Sequence, residues 1–140
     1  MRDATTVILE WLDSIDGLVE HVGERIGTHY DQAAGLPAVI VGSVTGGPDS
    51  DGETGVAPEG TYTVTLGVVG GRHGDTPDFS KAAPAASSVE QAVRALPRAR
   101  WEGSGGEAIP YGEVNLSDRQ TSPDGNAVAF LTLELQVVGR

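Results

Sequence analysis

The sequence predicts an α+β fold: a mainly antiparallel sheet packed by two helices, in one small domain spanning residues 1–140. Three observations carry this. Apolar residues recur at helical spacing near the start, two later runs alternate like strands, and a capping box precedes a second helical stripe. Composition excludes several classes. With 20 acidic against 9 basic side chains the net charge is −11, which opposes a surface that grips nucleic-acid phosphates. No apolar run reaches the ~20 residues of a membrane-spanning helix, and residues 1–6 lack the apolar stretch of a signal peptide. Zero cysteines remove disulfides and thiolate chemistry, so an intracellular birth is the simplest expectation.

The first helix rests on Ala4, Val7, Ile8, Trp11, Leu12 and Ile15, which share one stripe. Asp3 is its expected cap and Asp16-Gly17 its expected end. A short turn over residues 18–22 then stops at Gly23. Residues 37–44 are β-branched and almost wholly apolar, which predicts a central strand covered on both faces, with Pro37 at its first position. Residues 46–60 hold Asp49, Asp51, Glu53 and Glu59 among glycines and are too polar for a core. Residues 61–69 alternate with Tyr62, Val64, Leu66 and Val68 on one face, so the two runs form a long hairpin with the acidic loop at its tip.

Residues 70–86 are expected to be loop. Ser87 and Glu90 form an S-x-x-E capping box for a short helix that stops at Leu96, before Pro97. Arg94, Arg98 and Arg100 near its end fit a solvated helix terminus. Residues 113–117 look like a strand, and Ser122-Pro123-Asp124-Gly125-Asn126 is a turn. The last run puts Ala127, Ala129, Leu131, Leu133, Leu135 and Val137 on one face. Val128, Phe130, Thr132, Glu134, Gln136 and Val138 lie on the other. At ~3.3 Å per residue it extends roughly 40 Å, longer than a small sheet usually needs.

Tests for chemistry mostly fail. Gly103-Ser104-Gly105-Gly106-Glu107-Ala108 matches G-x-G-x-x-A by letters, but no buried strand precedes it and Ile109-Pro110 follows, so it is a loop. A P-loop and a nucleophile elbow are both missing. Asp49-Ser50-Asp51-Gly52-Glu53 opens like a calcium loop, yet Pro58 occupies the position of the bidentate glutamate. His21, His29 and His73 lie far apart, and nothing selects a catalytic pair among the carboxylates. Trp11 belongs to the core, whereas Trp101, beside Arg100 and Gly103, has the character of an interface anchor. The expectation is a non-enzyme without metal or cofactor.

The order of elements resembles the tail terminator (tail completion) proteins of long-tailed bacteriophages. Gly23-Glu24-Arg25-Ile26 is similar to that family's G-[DE]-R-I step, and Leu36-Pro37 leads into a hydrophobic strand as L-P does there. A second strand, an alanine-rich helix and the alternating run Ala129-Phe130-Leu131-Thr132-Leu133-Glu134-Leu135-Gln136-Val137 follow in the family's order. The loops at 46–60 and 70–86 are longer than many members carry.

The resemblance implies a structural protein of the virion tail or neck, assembled in the host cytoplasm. As implied, six copies form a ring that caps the tail tube, ends its polymerisation and meets the head-side connector or stopper protein. Genomic DNA passes through without specific binding, and no membrane is involved. On this reading the contacts are expected at Trp101, Phe130, Thr132, Glu134 and Gln136, with Asp49, Asp51, Glu53 and Glu59 at the lumen or rim. An acidic wall repels duplex DNA within a screening length of ~8–10 Å. The alternatives are a head-closure or stopper protein of the same neck, a small hydrolase, and an acidic module that recruits a basic partner.

Overall fold

Alternation in two long strands determines where everything else lies. The computed structural model describes residues 3–29, 35–47 and 59–139. Its helices are α1 (Ala4–Asp13), α2 (Asp16–Val22) and α3 (Phe79–Ala95). Its strands are β1 (Ile26–Gly27), β2 (Ala38–Gly46), β3 (Gly60–His73), β4 (Thr76–Pro77), β5 (Trp101–Glu102), β6 (Ala108–Thr121) and β7 (Ala127–Val138). They form a sheet in the order β1-β2-β3-β7-β6-β5, with β4 folded back on the end of β3. All pairings are antiparallel except β1 with β2, so the expected α+β class holds.

One face of β3 and β7 contributes Val64, Leu66, Val68, Leu131, Leu133, Leu135 and Val137, all fully buried. They pack in one cluster with Val7, Ile8, Trp11 and Leu12 of α1, Leu18 and Val22 of α2, and Ala82, Ala85, Val89 and Val93 of α3. Each large aliphatic side chain so buried contributes roughly 1.5–3 kcal/mol. The helices therefore lie on one face, and the other is left to solvent.

Several boundaries differ from expectation, each for a physical reason. Helix α1 ends at Asp13, and Gly17 sits in the first turn of α2 rather than terminating α1. A Cβ on Gly17 would stand 3.2 Å from Ser88 Oγ, so the glycine lets α2 approach α3. Gly23 does cap α2, at φ +59°. Among the described residues there are three helices rather than two. Strand β2 is not central: among the described residues only the two-residue β1 lies beyond it, and Gly42, Ser43, Thr45 and Gly46 are exposed.

The expected loop over 70–86 is largely regular structure. Strand β3 runs on to His73 through a bulge at Gly70, and α3 begins at Phe79. The cap is Asp78, whose carboxylate accepts from Ser80 N at 3.0 Å and from Ser80 Oγ. Ser87 lies inside α3 and accepts from Gln91 Nε2, so the S-x-x-E box caps nothing. Pro84 and the alanines hid the helix, because small residues carry little amphipathic signal. Those alanines are what fits beneath the sheet: Ala82 and Ala85 are fully buried.

The family-like motifs meet in space. Arg25 Nε donates to Pro37 O at 2.8 Å, Val39 N donates to Arg25 O at 2.8 Å, and Ile26 pairs with Val39. Arg25 thus joins the end of α2 to the start of β2.

The closest approach of helix to sheet gives a test. A Cβ on Gly70 would lie 2.8 Å from Ala82 N and Cβ and 2.9 Å from Asp78 O. Gly70→Ala is expected to cost about 1–3 kcal/mol in denaturant unfolding by forcing α3 off β3. An unchanged midpoint would disprove that contact.

Candidate functional site

The helix-free face of the sheet is the surface the fold leaves for function, and register places its residues in rows. One row is Ile40, Gly67, Phe130 and Asp118; the next is Ser43, Thr65, Thr132 and Leu116; the third is Thr45, Thr63, Glu134 and Glu113. A fourth holds Thr61, Gln136 and Tyr111. The first row, at one end of the face, is apolar except for Asp118 on β6, and the third row carries the acids Glu134 and Glu113.

At the apolar end Ile40, Gly42, Gly67, Val69, Val128 and Phe130 line a shallow cleft of about 280 Å³, with Asp124 and Asn126 at its rim. Gly67 makes room for it: a Cβ there would come within 3.2 Å of Val128 Cγ1 and 3.5 Å of the Phe130 ring. The aromatic ring covers the glycine backbone in the middle of the sheet. The turn expected at 122–126 closes this end, through Ser122 N to Asn126 O at 2.9 Å and Gly125 at φ +85°.

Glu113 and Glu134 stand directly opposite one another across β6 and β7, an arrangement that like charges disfavour. Each carboxylate has a neutral donor. Tyr111 donates its hydroxyl to Glu113 Oε1, and Asn115 Nδ2 donates to Glu134 Oε2 at 3.2 Å. Tyr111 and Leu116, on the same face, are the exposed large hydrophobic residues, at 45% and 55%.

Both edges of the sheet are largely open. Strand β1 pairs with β2 only at Val39 and Ile40, and β5 pairs with β6 only at Ala108 and Ile109. Among the described residues no strand covers 41–46 of β2 or 111–121 of β6. Such edges present unpaired amides and carbonyls to any further strand.

Of the residues expected at contacts, Phe130, Thr132, Glu134 and Gln136 share the helix-free face. Trp101 lies elsewhere, in β5, half-buried against the core. Glu59 precedes β3, and its Oε1 accepts from Gly139 N at 3.2 Å. Asp49, Asp51 and Glu53, and with them the calcium-like stretch, lie outside the described residues. The glycine-rich run at 103–106 forms the β5–β6 hairpin, where Ser104 N and Oγ donate to the Glu10 carboxylate at 2.7 and 2.8 Å. Among the described residues no group of His, Cys, Asp and Glu is placed to hold a metal.

Sequence reading did not single out Tyr111 and Asp118, because β6 extends well beyond the expected 113–117, nor Glu113 and Leu116, which that strand held with no face assigned. Two register shifts, after Ala108 and after Val114, break the alternation that would have revealed its faces.

The Tyr111 phenol is held above its ordinary range chiefly by its hydrogen bond to Glu113, with desolvation and the charges of Glu113 and Glu134 adding to the effect. A raised pKa favours the neutral phenol in the folded state. This contribution is therefore present below the ordinary value of ~10 and lost as pH rises through the folded one. Glu113→Gln is expected to bring phenolate absorbance at 295 nm in at lower pH than in the parent protein. Superimposable titrations would place the phenol away from Glu113.

No family model matches the chain, and no curated protein sequence matches it. Among solved structures it is similar to a chain of the virion of a native gene transfer agent particle, with a TM-score of 0.60 at 14% identity. The similarity covers 99% of this chain and 100% of that one. At this identity what the two share is the fold.

Proposed function

We propose that this protein is a structural component of a phage-like virion, acting as a tail terminator. In this reading six copies form a ring on the end of the tail tube, stop its growth and meet the head-side connector. The observation that carries it is the end-to-end likeness of fold to a virion chain. Element order adds support, since Gly23-Glu24-Arg25-Ile26 and Leu36-Pro37 stand where the terminator family has its own motifs. The open edges suit a ring, which needs two different surfaces on each copy that meet by rotation.

The helix-free face is proposed to line the passage, with the helices outside. Glu113, Asp118 and Glu134 would then face the DNA, with Glu59, Asp49, Asp51 and Glu53 toward a rim. Carboxylates repel phosphates and leave a duplex free to slide. Trp101, away from that face, would serve a neighbouring subunit or the tube.

Removing the gene should give tail tubes of uncontrolled length and no finished particles. Tails of normal length beside heads that lose their DNA would reassign the protein to head closure, and purified particles lacking it would refute a virion role altogether. A second expectation concerns charge. Glu113→Gln with Glu134→Gln should leave particle assembly intact but lower DNA delivery per particle, measured as transduced genomes per assembled virion. Unchanged delivery would remove the acids from the passage.

A further inference from the structure

We propose that copies of this chain join through one seam, in which residues 112–117 of β6 pair antiparallel with residues 41–46 of β2 in the next copy. The inference rests on the reading above that the chain assembles with itself, and it specifies how. Four observations converge on it.

Direction is the first. From β2 through β3 and β7 to β6 every step is antiparallel, so β2 and β6 run in opposite senses. Rotation about an axis along the strands brings β6 beside the next β2 as an antiparallel pair, with helix sides and open sides matched.

Level is the second. Val41 is linked through Leu66 and Leu131 to Ser117, and Gly46 through Tyr62 and Leu135 to Gly112. The stretches left open by β1 and β5 therefore overlap at the same height, and no slide along the strands is needed.

Length is the third. Strand β2 carries an extra residue at Gly42 relative to β3, and β6 an extra residue at Asn115 relative to β7. Both bulges lie within the overlapping stretches. The two edges consequently match residue for residue, from Gly112 with Gly46 to Ser117 with Val41.

Side chains are the fourth. Val44 and Val114 end the same row through Val64 and Leu133, on the helix side, and each is only partly buried against the core. At the seam they meet and continue that core. On the open side, exposed Leu116 falls opposite Gly42, which has no side chain and borders the apolar cleft. Glu113 falls opposite Thr45 rather than another acid.

Cysteine cross-linking tests this, because the chain has no cysteine of its own. Within one copy Val44 and Val114 are three strand spacings apart, about 14 Å, which exceeds the ~7 Å that a disulfide can span. Under a mild oxidant, Val44→Cys with Val114→Cys is expected to give a covalent ladder on denaturing gels that ends in a closed species. Neither single variant should give a ladder. Leu116→Asp should weaken association at least tenfold while leaving the thermal midpoint of the isolated chain unchanged.

Native mass spectrometry of the same samples separates the failures. Assemblies that form without cross-linking would overturn the seam and leave self-assembly standing. A chain that stays monomeric at every concentration would overturn both. Full association by Leu116→Asp would also remove Leu116 from the seam and, with it, this pairing.

Discussion

One-sided burial is the constraint on which the molecule depends. Leu131, Leu133, Leu135 and Val137 alternate with Phe130, Thr132, Glu134 and Gln136 on a single strand, so covering the first set leaves the second in solvent. All three helices serve the same side, and their small residues set how close they come. Ala82 sits over Gly70 with no room for a methyl group, and Ser88 sits over Gly17 with little room for one. A second helical layer would have made an ordinary closed domain. Without it, half the sheet's surface remains available to other molecules.

The parts legible in the sequence are those in which periodicity and burial agree. The pairing of β2 with β3, the faces of β7, the buried stripe Val7, Ile8, Trp11 and Leu12 of α1 and the turn at 122–126 emerge from the sequence. Ile15, however, falls outside α1, and the bounds of β2 and β3 shift. Errors cluster where local signals conflict. Pro84 inside α3 and the glycines after Val69 read as breaks, although Asp78 caps a helix through one and β3 passes through the other. Strand β6 was obscured by its own exposure. Edge residues such as Asp118, Arg119 and Gln120 have no core to report, and bulges shift the two-residue period. Half of the candidate surface was therefore visible, namely the β7 half, while the neighbours that give it chemical character were not.

The motifs that carried the family resemblance have a plain structural task. Arg25 ties the end of α2 to Pro37, and through it the two apolar segments that bury against each other, α1–α2 and β2, are held in register. That task belongs to the fold, and the chain's likeness to a solved structure is likewise one of fold along its whole length. On the open face, by contrast, Tyr111 and Asn115 donate to two opposed carboxylates, Glu113 and Glu134.

The bond between Glu10 and Ser104 closes a longer circuit. Helix α1 lies along β1 and β2 at one border of the sheet, yet Glu10 holds the hairpin that follows β5 at the opposite border. One helix therefore touches both borders, through its packing on β1 and β2 and through the Glu10 carboxylate that accepts from Ser104. A single carboxylate in the first helix thus fastens a loop at the far border of the sheet.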